Sequence, residues 1–217
     1  MIKLARQLQR EYQTLRYDRR GYGKSWQHPG PYAIADQVDD LERLLDGRAA
    51  VLFGHSYGGN VALATAERLS QQIRGVSTFE TPLSWMPWWP STTAGTVGIA
   101  AGSDMAAEKF MIRLIGQERW DKLPERTKNE RRREGRALVS ELGQLRVSQP
   151  WETSSIHCPV LCGYGSRGLV HHQQGARWLV DNINDSQLVC IDDASHGAPM
   201  SHPAECATRL IVPHFVG

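Results

Sequence analysis

The sequence predicts an α/β fold built on a mostly parallel sheet, and three observations predict it. Short apolar runs alternate with stretches striped at helical spacing. One run, Ala49 to Phe53, leads straight into a G-x-S-x-G turn and then a helical pattern. The alternation stops once, between Thr81 and Trp151, and resumes afterwards. Strands that alternate with helices pack as a parallel sheet covered on both faces, with the chemistry at the carboxyl ends of the strands.

In chain order, Leu4, Leu8 and Tyr12, with Ala5 beside them, mark a first helix. Thr14 to Asp18 reads as a strand, followed by the glycine-bearing turn Asp18-Arg19-Arg20-Gly21-Tyr22-Gly23-Lys24-Ser25. Ile34, Val38, Leu41 and Leu45 stripe a second helix, which Gly47 ends as a left-handed cap. Ala49 to Phe53 suits a strand buried on both faces. Val61, Thr65, Leu69 and Ile73 lie on one face of the next helix, which Gly75 closes. Val76 to Phe79 forms a strand ending at Glu80. Residues 81–151 carry Trp85, Trp88, Trp89 and Trp120, a Gly/Ala/Thr-rich patch and helical patterns around Asp104 to Ile115 and Arg126 to Leu145. They read as a helical insertion. The alternation resumes with a strand at Pro159 to Cys162, a helix around His171 to Ile183 and a strand at Gln187 to Ile191. A loop from Asp192 to Gly197 and a helix near Pro203 to Ile211 complete it.

At 217 residues the chain fits one domain with a real core. A net charge of +2 argues against a dedicated nucleic-acid binder. Arg131, Arg132 and Arg133 form a basic run, but the flanking Glu130 and Glu134 make a solvated helix face the simpler account. No stretch is apolar for long enough to span a bilayer, and the amphipathic N-terminus is not a secretory signal. Cys158, Cys162, Cys190 and Cys206 lack paired metal-ligand spacing and read as reduced, buried thiols of a cytoplasmic protein.

Chemistry concentrates at Gly54-His55-Ser56-Tyr57-Gly58. A residue at the crest of so sharp a strand-to-helix turn sits in strained torsions, and neighbours without a β-carbon let strand and helix approach. Ser56 then lifts its hydroxyl out of the sheet as a nucleophile, and the Tyr57 backbone N–H faces a developing oxyanion. The competing reading is a chance Gly/Ser turn. His196 lies just past a strand's carboxyl end, where a neutral imidazole can take the serine proton and return it to a leaving group. His55 reads as structural, and His171 and His172 as solvated or capping at a helix start. His28, His157, His202 and His214 have no strand-end placement.

The elbow, the Asp18-to-Ser25 turn and the Ala194-Ser195-His196-Gly197 loop together resemble the α/β-hydrolase superfamily. The resemblance implies a core of residues 1–80 and 152–217, a helical lid insertion at 81–151, Ser56 as nucleophile and His196 as base. Family members usually carry an Asp in the loop after the strand at Pro159 to Cys162. Here that loop reads Gly163-Tyr164-Gly165-Ser166-Arg167-Gly168-Leu169, without a carboxylate. Asp181 and Asp185 precede the final strand, at the wrong edge, and Asp192 and Asp193 are awkwardly close to His196. Glu80 remains, at the right edge, as the catalytic acid. Phe79-Glu80-Thr81-Pro82-Leu83-Ser84-Trp85 also resembles haloalkane dehalogenases, where a Glu can serve at this strand end. Their nucleophile is an aspartate, so Ser56 argues against dehalogenation. The competing role for Glu80 is an ordinary exposed or salt-bridged carboxylate.

The family also has three strands ahead of the one expected at Thr14 to Asp18, and a His-Gly turn that supplies a second oxyanion donor. These N-terminal strands are absent here. Either Met1 is internal to a longer reading frame, which is the expectation, or the fold is trimmed and re-paired. Trp85, Trp88 and Trp89 wall an apolar substrate pocket, or simply pack the insertion onto the sheet.

The leading function is a cofactor-free, metal-free serine hydrolase cleaving an ester-like bond of a small, partly hydrophobic substrate through an acyl-enzyme. A related activity such as perhydrolysis or C–C cleavage would use the same residues. A hydrolase-fold binding protein, or a weakly active hydrolase, is the reading from another class. The partner expected is a small molecule, with no nucleic acid and no membrane. The sequence is silent on oligomeric state.

Overall fold

The computed structural model describes residues 1–216. Helix α1 (Ile2–Leu8) buries Leu4 and Leu8. Helix α2 (Ile34–Leu45) follows, ending where Asp46 and Gly47 turn left-handed at φ 49° and 73°. Strand β1 (Ala50–His55), helix α3 (Tyr57–Arg68) and strand β2 (Ile73–Phe79) form one parallel unit. Five helices come next, α4 (Ala94–Ala100), α5 (Gly102–Ile115), α6 (Gln117–Asp121), α7 (Glu125–Arg132) and α8 (Gly135–Leu145). The sheet resumes with β3 (Val160–Gly165), α9 (Val170–Asn182) and β4 (Ser186–Ile191). Short helices α10 (Ala198–Ser201) and α11 (Pro203–Cys206) precede a single π-helical turn at Ala207–Ile211 and a 3₁₀ turn at Val212–Phe215.

The sheet is parallel throughout, in the order β1-β2-β3-β4. The α/β expectation therefore holds, and among the described residues no strand precedes β1. Burial follows strand order. Interior strands β2 and β3 are buried at nearly every position, whereas Val51 and Phe53 of β1 are half-buried. The expectation that β1 is buried on both faces is thus corrected: it is a terminal strand of the sheet. Thr14 to Asp18 is also not a strand, because extended backbone becomes one only by pairing and no strand lies alongside it.

Helix α3 buries nine of its twelve residues, so it belongs to the core rather than to an amphipathic surface. It ends at Arg68, earlier than its stripe suggested, and Ile73 and Gly75 belong to β2. Both Ile73 and a strand interior prefer apolar contact, so the pattern could not mark that border. Trp151 Nε1 donates to Asn60 Oδ1 at 3.0 Å, and Asn60 Nδ2 donates to the Pro82 carbonyl at 2.9 Å. This clamp joins α3 to the segment leaving β2. Beneath the sheet, Leu4 and Leu8 pack with Phe79, Leu161, Ile191 and Leu210.

The backbone divides into two compact units. One holds Met1–Arg16, Val38–Leu83 and the chain from Pro150 onward, which includes the whole sheet. The other joins Tyr17–Gln37 to Ser84–Gln149. In this second unit the Gly/Ala/Thr-rich patch is helix α4, started by Thr93, whose hydroxyl accepts from Thr96 N. The pattern expected at Arg126 to Leu145 is broken into α7 and α8. The Asp18-to-Ser25 turn is held to α8 by Glu141, which is buried. Arg19 and Tyr22 donate to its carboxylate, Tyr22 at 2.6 Å. The basic run is not a plain solvated face either. Arg131 pairs with the buried Glu134 at 2.8 Å, Arg132 with Glu108 at 2.6 Å, and Arg133 lies over the Trp26 ring.

Candidate active site

Register brings the first residues of the site together. His55 pairs with Phe79 and Phe79 with Gly163, so Ser56 and Glu80 leave adjacent strands at one level. Two further hydrogen bonds extend the ladder past the strands. Ser56 N donates to Phe79 O and Glu80 N to Gly163 O, each at 2.9 Å. Both residues turn sharply there. Ser56 has φ 53° and ψ −130°, and Glu80 has φ 47°, torsions that cost a side-chain-bearing residue free energy and gather at functional sites. A β-carbon at Gly54 would strike the backbone of Gly58 and Gly59, and one at Gly59 would strike Thr81. A β-carbon at Gly58 meets nothing, so in this elbow Gly54 and Gly59 permit the close approach and Gly58 does not.

His196 comes from the loop after β4 and places Nδ1 2.8 Å from Glu80 Oε2. The other oxygen, Oε1, accepts from Gly165 N at 3.1 Å. The Glu80 side chain is fully buried, whereas that of His196 is 19% exposed. A carboxylate shielded from water on one side and a ring open to a reactant on the other is the polarity a base needs. Gly168 makes room for the carboxylate, since a β-carbon there would collide with Glu80 Oε1. The alternative acids Asp192 and Asp193 are exposed and turned elsewhere, Asp193 pairing with Arg167 at 2.8 Å.

His55 Nε2 lies 2.7 Å from the His196 carbonyl, so its ring donates there and is the Nε2–H tautomer. Burial, then the neighbouring His196, pushes His55 down to about 3. Tyr57 opens α3, where first-turn amides have no intrahelical acceptor and the helix dipole presents its positive end. Thus Ser56, Tyr57, Glu80 and His196 all stand at the carboxyl edge of one sheet, within one unit.

Sequence reasoning missed His172. In the first turn of α9, it is buried and stacks on His196, with ring centroids 4.8 Å apart and planes 21° from parallel. Burial, then His196, His171 and His55, pushes it down to about 2. The available signal was its place just past a strand's carboxyl end, the same filter that selected His196. Three other histidines serve elsewhere: His214 meets Ser77 Oγ at 2.9 Å, His202 meets Ser201 Oγ, and His28 accepts from Gly30 N.

Glu80, His172 and His196 offer possible metal ligand atoms within 4.8 Å of one another. The two imidazole rings, however, are stacked, 21° from parallel. Glu80 also already holds Nδ1 of His196. The arrangement suits a stacked base better than a chelate.

Trp85, Trp88 and Trp89 belong to the second unit. Trp89 is buried, Trp85 and Trp88 are half-buried, and the Trp88 and Trp89 rings lie 5.9 Å apart. A cavity of about 280 Å³ in that unit is lined by Trp26, Tyr32 and Arg133, among others, and by none of these three tryptophans. Among the described residues no helix is long and apolar enough to cross a membrane, and Cys190 is only half-buried while the other three cysteines are buried.

Comparison with known proteins bears on the fold. An esterase from Thermogutta terrifontis is 24% identical, with a TM-score of 0.70 over 93% of this chain and 79% of that one. A hydrolase from Pseudomonas aeruginosa PA01, also 24% identical, gives a TM-score of 0.76 over 98% and 83%. The enol-lactonase from Burkholderia xenovorans LB400 gives 24% and 0.72 over 99% and 85%. No curated protein matches the chain. The alpha/beta hydrolase family, by contrast, matches residues 1–209. With a strand–elbow–helix unit on a parallel sheet and a match across nearly its whole length, the chain belongs to the alpha/beta hydrolase family.

Proposed function

We propose that the protein is a serine hydrolase that cleaves an ester-like bond of a small, partly hydrophobic molecule through an acyl-enzyme. The observation that carries this is the 2.8 Å contact between His196 Nδ1 and the buried Glu80, beside the strained Ser56. With Nδ1–H donated to the carboxylate, Nε2 keeps its lone pair. Ser56 gives its proton to Nε2 as Oγ attacks the acyl carbon, and the carbonyl π pair moves onto oxygen. The Tyr57 N–H stabilises that oxyanion. Collapse expels the alcohol, which takes the proton from His196. Water then repeats the sequence on the acyl-enzyme and releases the acid. Glu80 holds the ring in the useful tautomer and stabilises its charged form.

The esterase and lactonase among the structural neighbours support the choice of an acyl substrate. The substrate-wall role of Trp85, Trp88 and Trp89 belongs to the same proposal and rests on their place in the chain just after Glu80. So does a cytoplasmic location, which rests on the cysteine usage. The test is turnover of p-nitrophenyl esters of graded acyl length by the wild type and Ser56→Ala. Hydrolysis of short acyl chains that vanishes in Ser56→Ala is expected. Equal rates in the two proteins, or a marked preference for anionic esters, would contradict the proposal.

A further inference from the structure

A single hydrogen bond to a ring nitrogen fixes one point of an imidazole and leaves the ring free to rock about the N···O axis. For His196, Glu80 supplies that one bond to the ring. The ring needs a second constraint if Nε2 is to keep its aim, and the structure provides one on its flat face. His172 lies there, 4.8 Å away and 21° from parallel. Its own position is set by burial in the first turn of α9 and by His171, whose ring centroid is 4.4 Å away. On the backbone side, His55 holds the His196 carbonyl at 2.7 Å, with ring centroids 4.6 Å apart. Glu80, His55 and His172 therefore restrain His196 at Nδ1, at its main chain and on its face.

We infer that His172 is a positioning residue: its stacked ring fixes the plane of the His196 imidazole so that Nδ1–H stays on Glu80 while Nε2 stays available to Ser56. The inference deepens the proposed hydrolase reading and rests on it for the role of His196. The chemistry of the stacking partner suits the task. His172 is driven to about 2 by burial and by its imidazole neighbours, so it stays neutral at any working pH. A neutral π face accepts a ring that gains and loses positive charge during a reaction, where a cationic neighbour would oppose the gain.

His172→Leu fills the buried space without a flat ring, and His172→Phe keeps a flat ring without nitrogen. For short-acyl ester hydrolysis, His172→Leu is expected to lower kcat by about a hundredfold while KM changes little, as misplacement of a catalytic group does. His172→Phe is expected to restore most of kcat. Independently of turnover, the low-field proton resonance of His196 Nδ1–H should broaden or vanish in His172→Leu and persist in His172→Phe. It should also be lost in Glu80→Gln, which assigns it. Wild-type kcat with an intact resonance in His172→Leu would overturn the inference. So would equal damage in both variants, since that points to the nitrogens rather than the ring face. A wild type that neither hydrolyses esters nor depends on Ser56 would overturn the hydrolase reading itself, and the resonance alone would then decide whether His172 holds the ring.

Discussion

Two residues with side chains, Ser56 and Glu80, adopt φ near +50° at the ends of neighbouring strands, and each is held there by a ladder hydrogen bond of 2.9 Å. Such torsions cost roughly 1–3 kcal/mol each and persist only where the surroundings impose them. Here they lift a hydroxyl and a carboxylate above the same edge. If Glu80 orients His196, Glu80→Gln keeps the shape but favours the wrong tautomer, and kcat should fall by about four powers of ten. Steady-state kinetics on a short-acyl ester checks this, and a Glu80→Gln enzyme of undiminished rate would refute it. Gly168 offers a second, indirect lever. Because a β-carbon there would collide with Glu80 Oε1, Gly168→Ala should displace the carboxylate and lower kcat, by about a hundredfold on the scale of a small misplacement. That Glu80 meets His196 was legible in the sequence, because Glu80 ends a strand at the right edge while Asp192 and Asp193, also past a strand end, lie awkwardly close to His196 along the chain. His172 escaped because a histidine pair at a helix start has an ordinary solvated explanation, and stacking depends on a loop that returns more than twenty residues later, on the order of what only the fold can bring together.

At the level of elements, the turn between β1 and α3 depends on which glycines touch neighbours, not on the motif's lettering. Gly59→Ala would press a methyl group onto Thr81 and should destabilise the protein by about 1–3 kcal/mol, the usual cost of overpacking. Gly58→Ala meets open space within α3 and should be neutral or stabilising by up to about 1 kcal/mol, the helix-propensity difference between the two residues. Thermal melts of the two variants give the comparison, and the reverse order would contradict this packing. The elements themselves were largely legible. Strands β2, β3 and β4 and helices α2, α5 and α9 lie close to their expected places, because period and apolar content agree there. The failures have physical causes. Thr14 to Asp18 has strand-like residues but no strand to pair with. The boundary after Arg68 was blurred because Ile73 satisfies a helix stripe and a buried strand equally well.

For the molecule as a whole, the buried histidines couple folding to pH. His55 and His172 are held near 3 and 2 in the folded protein, below the ordinary 6.5, because burial disfavours their charged forms. The unfolded chain therefore binds more protons below pH 6.5. Stability contributed by their neutral state is complete above that pH and is lost as pH falls toward 3, by up to about 1.4 kcal/mol per pH unit for each group. Urea midpoints should fall between pH 6.5 and 4, and His172→Phe should flatten that slope; an unchanged slope would contradict the burial argument. The proposed activity requires an activated hydroxyl at position 56, and one measurement tests it directly. A fluorophosphonate reagent, followed by peptide mass analysis, should add a single phosphonyl group to Ser56 in the wild type, more slowly in Glu80→Gln and not at all in Ser56→Ala. A wild-type protein left unmodified, or modified equally well without Ser56, would contradict it.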